Sequence, residues 1–298
     1  MLDKFVDYIT VEKRYSPHTI TSYSKDLEAF LSFLQNSSNP QVQLMYATKK
    51  NVRDYIVHLN KNELSKRSIN RKLSSLRSFY LYLLRLGEIK TSPMEAISSL
   101  KFYAEKQTPF SVEEMAQLKD EVEDKGKMPF LEQMIIETLY QTGMRKSELC
   151  NLLIENVDFS TSELKVIGKG NKQRIIPISE ELALQLQQYL NIRKPLEEYN
   201  MYFFINNKGK KLGERFVYSV VNNYLSIVTT KEKRSPHILR HSFATHVLNG
   251  GAEISKVKKI LGHSSLASTQ VYTEANIEQL KKVFNQSHPR AKKDTDLE

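Results

Sequence analysis

A mainly α-helical protein of two domains, with one small β-sheet in the second, is the fold class this sequence predicts. Three observations carry it. The chain has 298 residues, more than one hydrophobic core usually organises. Its first hundred residues repeat apolar side chains at helical spacing. Strand-like alternation stands out between residues 163 and 178, on either side of a glycine-rich turn.

Each element follows from local signals. In "SPHTITSYSKDLEAFLSFL", Ser16 and Thr19 start a helix with Tyr23, Leu27, Phe30, Leu31 and Leu34 at helical spacing. "SKRSINRKLSSLRSFYLYLLRLG" sets Ile69, Leu73, Leu76, Tyr80 and Leu83 on one stripe and stops at Gly87. Its opposite face carries Lys66, Arg67, Arg71 and Ser74, residue types that suit phosphate contacts, although a solvated face looks the same. The result is a compact bundle of four or five helices. "KTSPMEAISSLKFYAEKQTPFS", with Pro93 and Pro109, reads as a linker, which places the first domain at 1–104 and the second at 105–298.

The second domain opens on a helix capped by Ser111, with Glu113 and Glu114 at its electropositive end. "FLEQMIIETLYQTG" is a further helix, stopped by Gly143. "ELKVIG", the turn "KGN" and "KQRIIPI" form the hairpin, and helices return from about Glu180. The polar tail "HPRAKKDTDLE" reads as frayed.

Composition narrows the class. Hydrophobic residues at 40% and charged residues at 26% describe a globular chain, and no apolar run approaches the roughly 20 residues that span a bilayer. "MLDKFVDYIT" lacks a secretory pattern. A lone cysteine, Cys150, rules out a disulfide framework and a cysteine-rich zinc site, so a reducing cytoplasm is expected. The net charge of +10 points to a polyanionic partner. It is concentrated early: residues 1–103 hold 16 Lys and Arg against 9 Asp and Glu, or +7.

Chemistry gathers in "SPHILRHSFATH". His237 and His241 have the i, i+4 spacing of a helical zinc pair, but Ile238 stands where a metalloprotease needs Glu. Arg240 would also put a fixed cation beside the metal. A phosphate site fits better, because His237 and Arg240 at i and i+3 share a helix face opposite Phe243, Val247 and Leu248. His241 and His246 then belong to packing or support. "TGMRKSEL" sets Arg145 just past a glycine stop, and "GKGNKQR" puts Lys169 at a hairpin tip without the order of a Walker loop. "LGHSSLASTQVYT" adds His263 and Tyr272. Of the other tyrosines, Tyr140, Tyr189, Tyr218 and Tyr224 fall on apolar helical positions and read as core.

In order and spacing, "TGMRKSEL", "VIGKGNKQRIIPI", "SPHILRHSFATH", "LGHSSLASTQVYT" and a terminal "HPRA" resemble the tyrosine recombinase (phage integrase) family, Xer subfamily, over the whole chain. That resemblance implies a SAM-like core-binding domain followed by an α+β catalytic domain. It implies Tyr272 as nucleophile, Arg145, Arg240 and His263 on the phosphate, Lys169 as acid to the leaving 5′-oxygen and His237 in proton transfer, with no cofactor and no metal. Lys66, Arg67, Arg71, Lys172 and Arg174 are the expected further DNA contacts. The implied partners are double-stranded DNA and a homo- or heterotetramer on two recombination sites, with a second Xer recombinase and a DNA translocase, and no membrane. The C-terminal "NIEQLKKVFNQ", with Ile277, Leu280, Val283 and Phe284 on one face, docks on its own domain or, as the resemblance implies, on a neighbouring protomer. The implied task is chromosome dimer resolution at a dif-like site. Alternatives are an integrase or transposase of a mobile element, a non-catalytic DNA-binding protein on the same fold, and a type IB topoisomerase. The intact six-residue set speaks against mere binding, and the short layout against the topoisomerase.

Overall fold

The computed structural model describes residues 1–37, 43–102, 107–125, 129–168, 172–262 and 274–291, with backbone only at 37, 122–125 and 274–277. The chain forms two compact units, Met1–Glu105 and Lys106–Glu298.

The N-terminal unit is built on α1 (Leu2–Asp7, prolonged by a wider turn over Tyr8–Glu12), α2 (Pro17–Ser37), α3 (Lys49–Lys61) and α4 (Lys66–Arg85). Local chemistry starts each long helix. Ser16 Oγ accepts the Thr19 amide at 3.3 Å, Thr48 and Asn51 cap each other, and Ser65 Oγ accepts the Ser68 amide at 3.2 Å. Leu27, Phe30 and Leu34 of α2 meet Leu73, Leu76, Phe79 and Leu83 of α4 in a core that excludes water. Each such side chain contributes about 1.5–3 kcal/mol. One buried charge interrupts it. Asp26 on α2 receives Arg71 through two bonds of 2.6 and 2.9 Å, Lys72 at 3.0 Å and Ser75 at 2.8 Å, all from α4.

The first unit extends further than its prolines suggest. Met94 and Ile97 are buried in its core. Asn70 holds Leu100 on both sides, donating to its carbonyl at 2.9 Å and accepting its amide at 2.8 Å, while Arg77 donates to the Ile97 carbonyl. Residues 91–100 are therefore a last layer of the bundle, and the linker reading is corrected for them.

In the C-terminal unit, α5 (Val112–Lys125) begins with a reciprocal cap. The Glu114 amide donates to Ser111 Oγ at 3.1 Å, and the Ser111 amide donates to Glu114 Oε2 at 2.6 Å. The central helix is α6 (Phe130–Thr142), buried on nearly every side. It stops at Gly143, which sits at φ 58°; a Cβ there would stand 2.5 Å from a ring carbon of Phe243. After α7 (Lys146–Cys150) come β1 (Val157–Asp158), β2 (Glu163–Ile167) and β3 (Gln173–Pro177), antiparallel in that order, with Leu164 opposite Ile176 and Val166 opposite Arg174. The two-residue β1 is too short to show alternation in the sequence.

Next follow α8 (Glu180–Ile192), α9 (Glu214–Val228), α10 (Pro236–Asn249), α11 (Ile254–Leu261) and α12 (Glu274–Ser287). On α12, Leu280 and Phe284 are buried in the core of their own unit, so the helix packs on its own domain. The frayed-tail reading is corrected for 288–291. His288 is fully buried, and Arg290 pairs with Glu137 and donates to the Met115 carbonyl. Two smaller expectations also change. Tyr218 is 48% exposed, because its position on α9 faces away from the core, and His241 lies exposed on α10. Among the described residues, no helix is long and apolar enough to cross a membrane.

Candidate active site

The glycine that ends α6 also aims the next side chain. Gly143 turns the chain, Met144 buries itself, and Arg145 becomes the cap residue of α7 with its side chain 41% exposed. Glu148, three residues on, receives the Arg145 backbone amide at 2.8 Å and its guanidinium at 2.7 Å. That carboxylate is almost wholly buried, and a second guanidinium closes on it. Arg174 donates from Nη1 to Glu148 Oε1 at 3.0 Å and from Nη2 to Oε2 at 2.7 Å, the forked geometry that arginine provides. Burial alone would raise the Glu148 pKa. The bonds from Arg174 and then Arg145 outweigh it and hold the carboxyl below its ordinary range.

Arg240 comes from the buried side of α10. Its Nη1 donates to the Gly143 carbonyl and its Nη2 to the Leu261 carbonyl, both at 2.6 Å. Burial first, and then the neighbouring charges of Arg145 and Arg174, push this guanidinium down to about 10. It stays a cation at neutral pH. Arg174 Nε donates to the Ile260 carbonyl at 2.6 Å, one residue from the carbonyl that Arg240 uses. Two guanidiniums bind the one carboxylate and a third, that of Arg240, stands close enough to feel all three charges, leaving an excess of positive charge where α6, β3, α10 and α11 converge.

His237 is exposed on α10, one turn before Arg240. Lys169, His263 and Tyr272 lie outside the described residues. Their described neighbours border the arginine cluster: a Cβ on Gly168 would stand 3.4 Å from Glu148 Oε1, and one on Gly262 would stand 3.1 Å from Arg174 Cδ. Lys172 is exposed, and its carbonyl accepts the Gly168 amide at 2.8 Å at the root of the hairpin. Lys66 and Arg67 are exposed on α4, and Arg71 is half-exposed while bound to Asp26. Arg174 overturns its expectation as a DNA contact, because its side chain is only 4% exposed and its fork is taken by Glu148.

Two features escaped the sequence reading. Glu148 stands three residues after Arg145 at a helix start, the spacing at which an acid reaches back to the cap. Arg174 has the same parity as Ile176 on β3, so period two already assigned it to the inward face. His246 is a supporting residue: it donates from Nε2 to the Phe110 carbonyl and accepts the Tyr140 hydroxyl at Nδ1, which defines a neutral ring. Burial lowers its pKa, in keeping with that state. Among the described residues, no group of three His, Cys, Asp or Glu side chains is placed to hold a metal ion.

Comparison with known proteins identifies the family. The phage integrase family model matches residues 109–279, and the model of the phage integrase N-terminal SAM-like domain matches residues 2–87. The chain belongs to the phage integrase family, the site-specific tyrosine recombinases, enzymes that break and rejoin DNA. Within it, the chain falls with the Xer recombinases. It is 37% identical to tyrosine recombinase XerC of Staphylococcus aureus (strain JH9), over 99% of this chain and 98% of that protein. Solved structures share the fold. A lambda integrase tetramer bound to a Holliday junction matches with a TM-score of 0.69 at 17% identity, over 89% of this chain and 76% of that one. The Tn1549 transposon integrase in complex with circular intermediate DNA matches with a TM-score of 0.66 at 20% identity, over 93% and 97%.

Proposed function

We propose that this chain recombines duplex DNA at paired sites as a tetramer, homomeric or with a second Xer recombinase, and that its task is chromosome dimer resolution at a dif-like site. The observation that carries the reading is the convergence of Arg145 and Arg240 on one cationic cluster, built without a metal-holding set among the described residues. The XerC relative and the tetrameric, junction-bound lambda integrase support the paired-site assembly. A DNA translocase is the proposed regulator, and the cytoplasm the proposed setting. Residues 1–104 are assigned to DNA backbone binding and 105–298 to chemistry.

The phenol oxygen of Tyr272 attacks the scissile phosphorus as His237 takes its proton. A Tyr–O–P bond forms, the bond from phosphorus to O5′ breaks, and Lys169 gives its proton to the departing oxygen. A 3′-phosphotyrosyl link holds the bond energy until the 5′-hydroxyl of another strand reverses the step. Arg145 and Arg240, with His263, neutralise charge growing on the non-bridging oxygens. An unperturbed phenol titrates near 10, so the surrounding cations also favour its ionised form.

The test is a nicked duplex carrying the target site. Tyr272→Phe should bind it with unchanged affinity and form no covalent complex. A covalent complex with that variant would assign the attack to another residue. Wild-type cleavage should persist in excess EDTA, and a loss restored by magnesium would reject the cation-only chemistry.

A further inference from the structure

The polar bonds of the site close into a ring. Arg145 binds Glu148; Glu148 binds Arg174; Arg174 binds the Ile260 carbonyl in the last turn of α11. The next residue of that turn, Leu261, accepts Arg240, and Arg240 returns to the carbonyl of Gly143, two residues before Arg145. Two members of this ring, Arg145 and Arg240, are the proposed phosphate ligands. Arg174 is 4% exposed and turns its fork toward Glu148, so it has no route to a phosphate of its own.

We infer that Arg174 is a positioning residue for strand cleavage, fixing Arg145 through Glu148 and Arg240 through the end of α11, so that both meet the same phosphate at a set spacing. The inference rests on the proposed reading of the site. Three features favour this role over simple packing. A side chain that only filled the sheet's inner face would be apolar, as Val166 opposite it and Ile176 two residues on both are. Its three nitrogens all donate to the two elements that border the proposed ligands. Gly168 and Gly262 flank it so closely that added Cβ atoms would stand 3.5 and 3.1 Å from its atoms, which seats the guanidinium between the root of the hairpin and the end of α11. A lysine in its place would keep the charge and lose the fork and the Nε donor.

The consequence is chemical. If Arg174 sets the spacing of two cations about two non-bridging oxygens, its value depends on the negative charge of the phosphate. Replacing one of those oxygens by a methyl group makes the link neutral and removes most of that demand. The experiment measures cleavage of nicked duplexes carrying either a phosphodiester or a methylphosphonate at the scissile position, together with DNA affinity and thermal melting. Arg174→Lys should bind DNA within about threefold of wild type and lose about 100-fold in cleavage on the phosphodiester, a typical cost for a lost electrostatic contact in a reacting centre. On the methylphosphonate the loss should fall below about tenfold. If Arg174→Lys does not fold, Glu148→Gln carries the same comparison, because it keeps the side-chain shape and weakens the same link. Equal losses on the two substrates, or no loss on either, would overturn the inference while leaving the proposed function standing. A wild-type protein that forms no phosphotyrosyl link with either DNA would overturn both.

Discussion

Each unit buries one carboxylate among cations, and the two do different things with it. Asp26 in the N-terminal unit lies 2% exposed under Arg71 and Lys72, whose side chains are 50% and 16% exposed. Glu148 in the C-terminal unit lies under Arg145 at 41% and Arg174 at 4%. In the first cluster an acid below the surface orients cations that still reach water, and Arg71 keeps N–H groups to offer a phosphate. In the second, one cation is sealed inside and serves the other. The same ion pair is a rim device in one place and a frame in the other; the exposure of the cation decides which.

The largest expected effect breaks the interior cluster. Arg174→Ala leaves Glu148 buried with one of its two cations gone, and removing a partner from a buried pair typically costs about 3–5 kcal/mol. Calorimetry should show the C-terminal transition falling steeply. Asp26→Ala is milder, about 1–3 kcal/mol, because Arg71 and Lys72 can turn to solvent. Its loss should come with weaker DNA binding, since Arg71 is no longer held. Equal destabilisation by the two variants would erase the distinction.

Acid should separate the units as well. His18 and His58 of the N-terminal unit are exposed, whereas His288 is fully buried. Burial pushes the His288 pKa down to about 3, with the Tyr140 carbonyl opposing. The unfolded ring takes a proton near 6.5 and the folded ring does not, so this group costs nothing above pH 6.5. Below it, stability falls by about 1.4 kcal/mol per pH unit until the folded ring titrates. Melting of the C-terminal unit should drop from pH 6.5 to 4.5, and His288→Gln should flatten that slope. An unchanged slope would mean that another group sets the acid sensitivity. The smallest effect is at the surface: Lys66→Ala and Arg67→Ala should each reduce the salt slope of DNA binding by about 0.9 if each meets one phosphate.

Much of this was legible from local signals. The stripes of α2 and α4, the caps at Ser111 and Gly143, and the alternation of β2 and β3 are each written within a dozen residues. What escaped depends on partners far along the chain. Met94 and Ile97 look like isolated apolar residues in a proline-bearing stretch, and only Asn70 and Arg77, at least twenty residues away, tie that stretch down. The "HPRA" end looks polar, yet His288 and Arg290 have their partners on α5 and α6. Arg174 has the charge of a surface DNA contact, and only its parity with Ile176 assigns it to the interior. Arg145 and Arg240 were legible because a glycine stop and an i, i+3 pair are local; the ring that joins them was not, since it closes through backbone carbonyls.

Those carbonyls have an electrostatic meaning of their own. Gly143 caps the C-terminal end of α6, and Leu261 is the last residue of α11, so Arg240 is held by the negative ends of two helix dipoles. A helix end carries roughly half an elementary charge and stabilises a nearby cation by about 0.3–2 kcal/mol. That steadies the guanidinium without neutralising it. A carboxylate hydrogen-bonded to Arg240 would orient it equally well but would cancel a full unit of its charge. Two half-charges shared over peptide groups leave the guanidinium oriented with most of its attraction for a phosphate intact.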